Sequence, residues 1–333
     1  MKKQIDVGII NYNGGGELVR CVKSLASQKD VSVRVFVFDN ASTDDSLETL
    51  SKSGLLCEVV RSPKNLGYAG ACNALLRTMD SPIEVLCNMD LDFAEDWAER
   101  LFDCFERHAD AAAVASLVME RGGKVNAVGV LFGGDLFAEN EGSGMDARDV
   151  DIREKEVFGC YGAVMAFRRE CALRVGPLDE SFFLFFEESE WFFRFRLCGF
   201  KTIFSPEAKV YHERSLTTVR HSPRKLFYSE RNRLRSAVRL LPAAEIFKLP
   251  FRGFCRYVRM SKGVPGRSGD GKKLSKVSIC FALGKAWAEA LRLLPKDLRI
   301  RKDYRKRYGD VSRKMREILG RFALRRFRRS TDR

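Results

Sequence analysis

Carboxylates set into a run of bulky apolar side chains occupy residues 179–194, Asp-Glu-Ser-Phe-Phe-Leu-Phe-Phe-Glu-Glu-Ser-Glu-Trp-Phe-Phe-Arg. Leaving Glu187, Glu188 and Glu190 ionised against Phe182, Phe183, Phe185, Phe186 and Trp191 is costly unless a cation, a basic group or a substrate hydroxyl meets them. Adjacent carboxylates also repel one another. That repulsion raises one pKa and makes its owner a proton acceptor near neutral pH. The plain alternative is an amphipathic helix with a solvated acidic side. It loses ground because other segments supply the parts that such a base would need.

Those parts fall in the first 90 residues, where strand and helix signals alternate. Residues 4–10 form a short apolar run ending in Asn-Tyr-Asn-Gly-Gly-Gly, a strand entering a turn. Leu18, Cys21, Val22, Leu25 and Ala26 then share one helical face. Residues 33–38 read as a strand covered on both faces. Ser42 and Thr43 before Asp44 and Asp45 mark a helix start, and residues 58–61, 67–79 and 83–87 repeat the alternation. This is a βαβαβ half of an open parallel sheet, in which ligands sit at the carboxyl ends of the strands. Asp39, Asn40, Asn65 and Asp90 all fall at or just after such ends. Each one singly fits a turn; four at one sheet edge point to a site.

The 333 residues suffice for two domains, or for one large α/β domain with an appendage. No run of about 18 uncharged apolar residues is present, so no membrane-spanning helix is expected. Asp6 and Asn11 interrupt the apolar run after Lys2 and Lys3, which argues against a signal peptide. The ten cysteines lack metal-type spacing and read as buried thiols of a reducing compartment, the cytoplasm. Charge is unevenly spread. The chain carries +15 overall, yet residues 221–333 hold 33 Lys and Arg against 9 Asp and Glu. The remaining 220 residues are therefore net acidic, and a boundary is expected near residue 220.

Several motifs carry a family resemblance. Asn-Tyr-Asn at 11–13, Phe-Asp-Asn-Ala-Ser-Thr-Asp at 38–44 and Asn-Leu-Gly-Tyr-Ala-Gly-Ala-Cys-Asn at 65–73 resemble the nucleotide-binding half of the family 2 glycosyltransferases. Cys-Asn-Met-Asp at 87–90 resembles that family's metal-binding Asp-x-Asp segment. Residues 158–169 are similar to its acceptor-side strand, 179–190 to its catalytic-base segment, and Val-Tyr-His at 210–212 to its metal-ligand histidine. The branch that looks nearest is the bacterial rhamnosyltransferases and galactofuranosyltransferases of cell-surface polysaccharide assembly.

The resemblance implies a GT-A fold, a Rossmann-like mixed α/β sheet flanked by helices. Its nucleotide-binding half would span about 1–92 and its acceptor half about 93–220, followed by a basic helical extension over 221–333. Asn11, Asn13, Asp39, Asn40, Asn65, Gly67, Asn73 and Asn88 are the implied nucleotide-sugar contacts. Asp90 and His212 are the implied ligands of Mn²⁺ or Mg²⁺. Glu188 is the implied base, taking the acceptor hydroxyl's proton in an inverting displacement. Gly67 and Gly70 would let backbone approach the ligand.

Two departures keep alternatives open. Asn88 replaces the first Asp of the usual pair, and Asp92 could compensate or could instead start a helix before Trp97. Glu187-Glu188 stands where an acid followed by Asp is common, so Glu187 and Glu190, with Trp191 beside them, remain candidates for the site.

The expected donor is a dTDP- or UDP-sugar, rhamnose or a relative, and the expected acceptor a glycan or polyprenyl-linked glycan. In the extension, Phe247, Phe251, Phe254 and Trp287 interleave with basic residues, as do Phe322, Leu324 and Phe327, and residues 263–271 form a Gly-rich break. That pattern suits an anionic membrane surface, which would place the protein peripherally on the inner face of the cell membrane. No nucleic-acid motif is present, and none is expected as a partner. The competing reading is a basic lipid- or nucleic-acid-binding protein with an inactive transferase-like domain.

Overall fold

A computed structural model describes residues 3–212, 222–249, 251–253 and 276–324. The alternation expected in the first half is present. It runs β1 (Gln4–Asn11), α1 (Gly15–Ala26), β2 (Ser32–Asp39), α2 (Ser46–Lys52), β3 (Glu58–Arg61), α3 (Gly67–Thr78) and β4 (Ile83–Asn88). β1 pairs in parallel with both β2 and β4, and β2 with β3. Ile5, Val7 and Ile9 face one apolar core and Ile10 the other, so β1 is apolar on both faces apart from the buried Asp6, which pairs with Arg34 of β2. On α1, Leu18, Cys21, Val22 and Leu25 form the buried stripe that their spacing predicts.

The second half contributes β5 (Leu91–Phe93), α4 (Trp97–Arg107), β6 (Ala111–Met119), β7 (Val125–Ala127), β8 (Val130–Phe132), β9 (Ala138–Asn140), β10 (Lys155–Val157), β11 (Val164–Arg168), α5 (Arg169–Val175), α6 (Glu187–Leu197) and β12 (Lys201–His212). The main path of the sheet is β10-β12-β6-β11-β4-β1-β2-β3. β11 is antiparallel to both β4 and β6, whereas β12 runs parallel to β6. Two reversals cancel, so β12 points the same way as β4. This is what carries His212, last residue of β12, to the sheet edge where β4 delivers Asn88 and Asp90. Asp92 lies within β5 opposite Tyr211 and starts no helix; α4 begins at Trp97 instead.

Beyond residue 222 come α7 (Pro223–Leu240), α8 (Ala243–Ile246), α9 (Lys276–Arg292), α10 (Leu294–Tyr308) and α11 (Val311–Arg321). The helical character is as expected, but part of the basic excess is turned inward. Arg235 grips Asp297 through Nε (3.0 Å) and Nη2 (3.1 Å). Arg239 reaches both Asp297 (2.6 Å) and Asp179 (2.6 Å). All but Asp179 in this cluster are almost fully buried. Phe322 packs beside Phe158 in the main core, and Phe132 exchanges backbone hydrogen bonds with Phe322 and Leu324. Trp287 donates Nε1–H to Glu230 (3.1 Å), which turns it toward α7 rather than toward a membrane. Phe254, Phe327 and the Gly-rich break lie outside the described residues.

A buried ion pair is destabilised most by losing one partner, because the other charge is left uncompensated. Asp297→Ala strands two buried guanidinium groups and is expected to cost about 3–5 kcal/mol. Urea denaturation of the full chain measures this; a cost within about 1 kcal/mol, the range of exposed pairs, would contradict it.

Candidate functional site

The loops after β2 and β4, the start of α3, the turn before β11, the end of β12 and the starts of α6 and α7 enclose a cleft of about 440 Å³. Sheet topology alone explains most of the assembly: carboxyl ends of parallel strands open on one side, where loops supply the polar groups.

Asp90 and His212 form one wall. Both are buried, and His212 Nε2 lies 3.4 Å from Asp90 Oδ2. Asp90 Oδ1 and His212 Nε2 have no hydrogen-bond partner. Orphaned buried polar atoms are costly and call for an explanation, of which a bound cation is one. A carboxylate and an imidazole facing each other at this distance fit a hard or intermediate divalent ion. On the far side of the ring, His212 Nδ1 is 3.4 Å from the Asn126 side-chain amide. The amide presents Nδ2 to Nδ1; turned over, its oxygen would accept from Nδ1–H and leave the Nε2 lone pair to an ion.

The opposite wall carries Glu187 and Glu188 at the N-terminus of α6. Glu187 is almost sealed off, and its Oε2 has no partner. Burial, and then the neighbouring Glu188 charge, hold the Glu187 carboxyl well above the usual range. Burial raises Glu188 as well. Glu188 is the more accessible of the two and receives a long contact from Ser189 Oγ (3.4 Å). Both carboxyls are thus disfavoured as anions, Glu187 more strongly than its more accessible neighbour. Gly162 makes room for Glu188, since a Cβ there would stand 2.9 Å from Glu188 Cγ. Glu190 belongs elsewhere: it is paired with Arg194 (3.0 Å), accepts from the Tyr304 hydroxyl and does not border the cleft. Trp191 is fully buried and donates to the Gly176 carbonyl (2.8 Å). Asp92 is bound to Arg121 (2.8 Å), away from the cleft.

The asparagines divide into two groups. Asn40, Asn65 and Asn88 border the cleft, with Gly67 beside them. Asn40 also ties the loop together: its Oδ1 accepts from Leu66 N (2.7 Å) and its Nδ2 donates to Asn65 Oδ1 (3.2 Å). Asn11, Asn13, Asn73 and the neighbouring Asp39 do not border the cleft. Asn11 donates to Asp39 (3.0 Å), Ser42 (3.1 Å) and Ser46 (3.0 Å), and Asn13 accepts from Thr43 N (2.8 Å). Asn73 bonds Leu178 and Glu180 and so joins α3 to the segment leading into α6. Gly67 has a positive φ of 71°, and a Cβ there would strike the Phe183 carbonyl. Close approach by that loop therefore already requires glycine at 67, while a Cβ at Gly70 would meet the Leu66 side chain.

Sequence reasoning missed Tyr68, Tyr161, Arg224 and Lys225, all of which border the cleft. Tyr68 donates its hydroxyl to Gly162 O (2.5 Å) and its N–H to Phe183 O (2.6 Å), bridging the turn before β11 and the loop before α6. Its place inside the 65–73 motif was the available signal. Arg224 and Lys225 lie in the first turn of α7 and were hidden among the many basic residues of the extension.

Comparison with known proteins fits this geometry. Over 243 residues the chain is 22% identical to the N-acetylglucosaminyl-diphospho-decaprenol L-rhamnosyltransferase of Mycobacterium tuberculosis, covering 66% of this chain and 79% of that one. The fold is similar to that of S. aureus TarS residues 1–349, with TM-score 0.54, 18% identity, and 95% and 92% of the two chains covered. It is also similar to GalNAc-T7 crystallised with UDP, GalNAc and Mn²⁺, with TM-score 0.60 and 14% identity. That match covers 92% of this chain and 58% of the other. The mixed sheet with its flanking helices is thus the GT-A arrangement. Residues 6–175 match the model of glycosyl transferase family 2, and the chain belongs to that family as a glycosyltransferase.

Proposed function

We propose that the protein is an inverting, metal-dependent transferase that moves rhamnose or a related sugar from a dTDP- or UDP-sugar to a glycan or polyprenyl-linked acceptor in cell-surface polysaccharide assembly. The observation that carries this reading is the convergence on one cleft of Glu188 with the orphaned Asp90 Oδ1 and His212 Nε2. Asp90 and His212 would hold Mn²⁺ or Mg²⁺, whose charge would offset that developing on the leaving diphosphate. Arg224 and Lys225 add positive charge at the same opening. Glu188 takes the proton of the acceptor hydroxyl as its oxygen bonds to the anomeric carbon. The bond to the diphosphate breaks on the opposite face, and the nucleoside diphosphate leaves. The relative that acts on a diphospho-decaprenol acceptor supports a lipid-linked substrate. The Mn²⁺ in the GalNAc-T7 crystals supports the ion. A thermal-shift screen of dTDP-rhamnose, UDP-galactose, UDP-N-acetylglucosamine and GDP-mannose, each with and without Mn²⁺, tests the donor. Stabilisation by dTDP-rhamnose or a UDP-sugar that needs Mn²⁺ is expected; a preference for GDP-mannose would overturn the donor assignment.

We further propose that the extension docks on the anionic inner face of the membrane. No helix among the described residues is long and apolar enough to cross a bilayer. Phe247 and Phe251 are nonetheless 85% and 73% exposed, and Phe281 on α9 is 75% exposed, in a segment of strong positive charge. Aromatic side chains at an anionic surface leave a binding remainder that salt does not remove. Co-sedimentation of the full chain with phosphatidylserine vesicles at rising salt checks this. Phe247→Ser/Phe251→Ser should abolish the salt-resistant fraction, and an unchanged fraction would contradict insertion.

A further inference from the structure

The loop leading into α6 is built from an unfavourable backbone. Phe183, Phe185 and Phe186 have φ of 64°, 67° and 73°, the left-handed region that side-chain-bearing residues avoid. Each such residue is strained and persists only where the surroundings over-determine it. Phe186 O accepts from Glu190 N (3.0 Å) at the start of α6 and Phe182 O from Leu184 N (2.7 Å), but the Leu184 and Phe185 carbonyls need partners from outside the loop.

Those partners come from α7, on the basic extension. Asn232, fully buried, directs Nδ2 at three carbonyls of the loop: Phe182 (3.0 Å), Leu184 (3.0 Å) and Phe185 (2.7 Å). Its Oδ1 accepts from Arg231 Nε (2.9 Å), which fixes the amide so that its donors face the loop. Arg231 Nη2 adds bonds to Ser181 O (3.1 Å) and Phe182 O (2.7 Å), and Arg235 reaches Ser181 O (3.2 Å). From the other side, Tyr68 N holds Phe183 O, and Tyr228 of α7 stacks on the Phe183 ring at 5.5 Å. Asparagine suits the position because its short carboxamide offers two donor hydrogens, which the three carbonyls share, and one acceptor for the arginine. Glu187 and Glu188 follow directly on this loop, so its path sets where their carboxylates stand.

We propose that Asn232 is a positioning residue for the candidate base: it locks the left-handed loop from Phe182 to Phe186 onto α7 and so fixes Glu188 at the cleft. On this view the extension is part of the catalytic architecture. The catalytic half of the proposal rests on the transferase reading above; the structural half does not.

The test uses the full chain with Asn232→Asp, which keeps the acceptor for Arg231 and sets an oxygen against the three carbonyls. Asn232→Ser replaces it should the aspartate variant not fold. Hydrogen exchange of the 181–190 amides, followed by mass spectrometry, reads the loop directly. Exchange there should quicken about ten-fold or more, because the loop opens more readily without those hydrogen bonds, with β1 and β2 unchanged. With dTDP-rhamnose and Mn²⁺, kcat should fall about ten-fold or more while the donor KM stays within about two-fold, because donor contacts lie on other loops. Unchanged exchange at 181–190 overturns the positioning role. Faster exchange with unchanged kcat overturns its catalytic consequence. If the wild-type protein does not turn over dTDP-rhamnose, the donor assignment fails, while the exchange result still decides the positioning role.

Discussion

Asp90→Ala is expected to abolish metal-dependent donor binding. Among the described residues bordering the cleft, Asp90 is the carboxylate whose unpaired oxygen stands with the unpaired nitrogen of His212. Asp92 cannot substitute, because it is bound to Arg121 and lies away from the cleft. The carboxylate supplies the only negative charge in the proposed ligand pair, and hard divalent ions depend on such charge. Stabilisation by dTDP-rhamnose should therefore become independent of Mn²⁺ in the variant. Retained Mn²⁺-dependent stabilisation would refute the assignment. His212→Ala should weaken metal use less completely, since a carboxylate ligand remains.

Glu188→Gln should leave donor stabilisation nearly intact and lower turnover by about 10²-fold or more, the scale of losing a general base. The amide is nearly isosteric and still fits beside Gly162, so the loss would be of proton acceptance rather than of packing. Glu187→Gln should do much less harm, because Glu187 is the more deeply buried of the two, its carboxyl raised well above the usual range by burial and by the Glu188 charge. Steady-state kinetics of both variants distinguish the two carboxylates. An inactive Glu187→Gln beside an active Glu188→Gln would exchange their roles.

The βαβαβ half was legible because its signals are local. Residues 4–10 and 33–38 are mostly apolar runs, interrupted by Asp6 and Arg34, since both faces of β1 and β2 are largely covered, and Asn and Gly mark the turns that follow. The mixed part of the sheet was legible only through the family resemblance, because nothing local in residues 164–168 announces an antiparallel insertion. Long-range pairing was hidden altogether. Arg235 and Arg239 look like surface charge until α10 brings Asp297 against them, about sixty positions away. Asn73 sits inside a motif that resembles a nucleotide-binding one, yet bonds a carbonyl 105 positions distant. Gly67 was read as room for a ligand and proves to admit the Phe183 carbonyl. In each case residue type reported a close contact, and only the fold named the partner.

The proposed reaction is a single displacement at the anomeric carbon, with Glu188 as the base in a cleft that would hold a metal ion. Its most direct test is the product formed from dTDP-rhamnose, Mn²⁺ and an N-acetylglucosaminyl-diphospho-polyprenol, with the anomeric configuration of the new linkage determined by NMR. Transfer with configuration opposite to that of the donor, lost on removing Mn²⁺ with EDTA, is the predicted result. A linkage that keeps the donor's configuration, or transfer that persists in EDTA, would contradict the account.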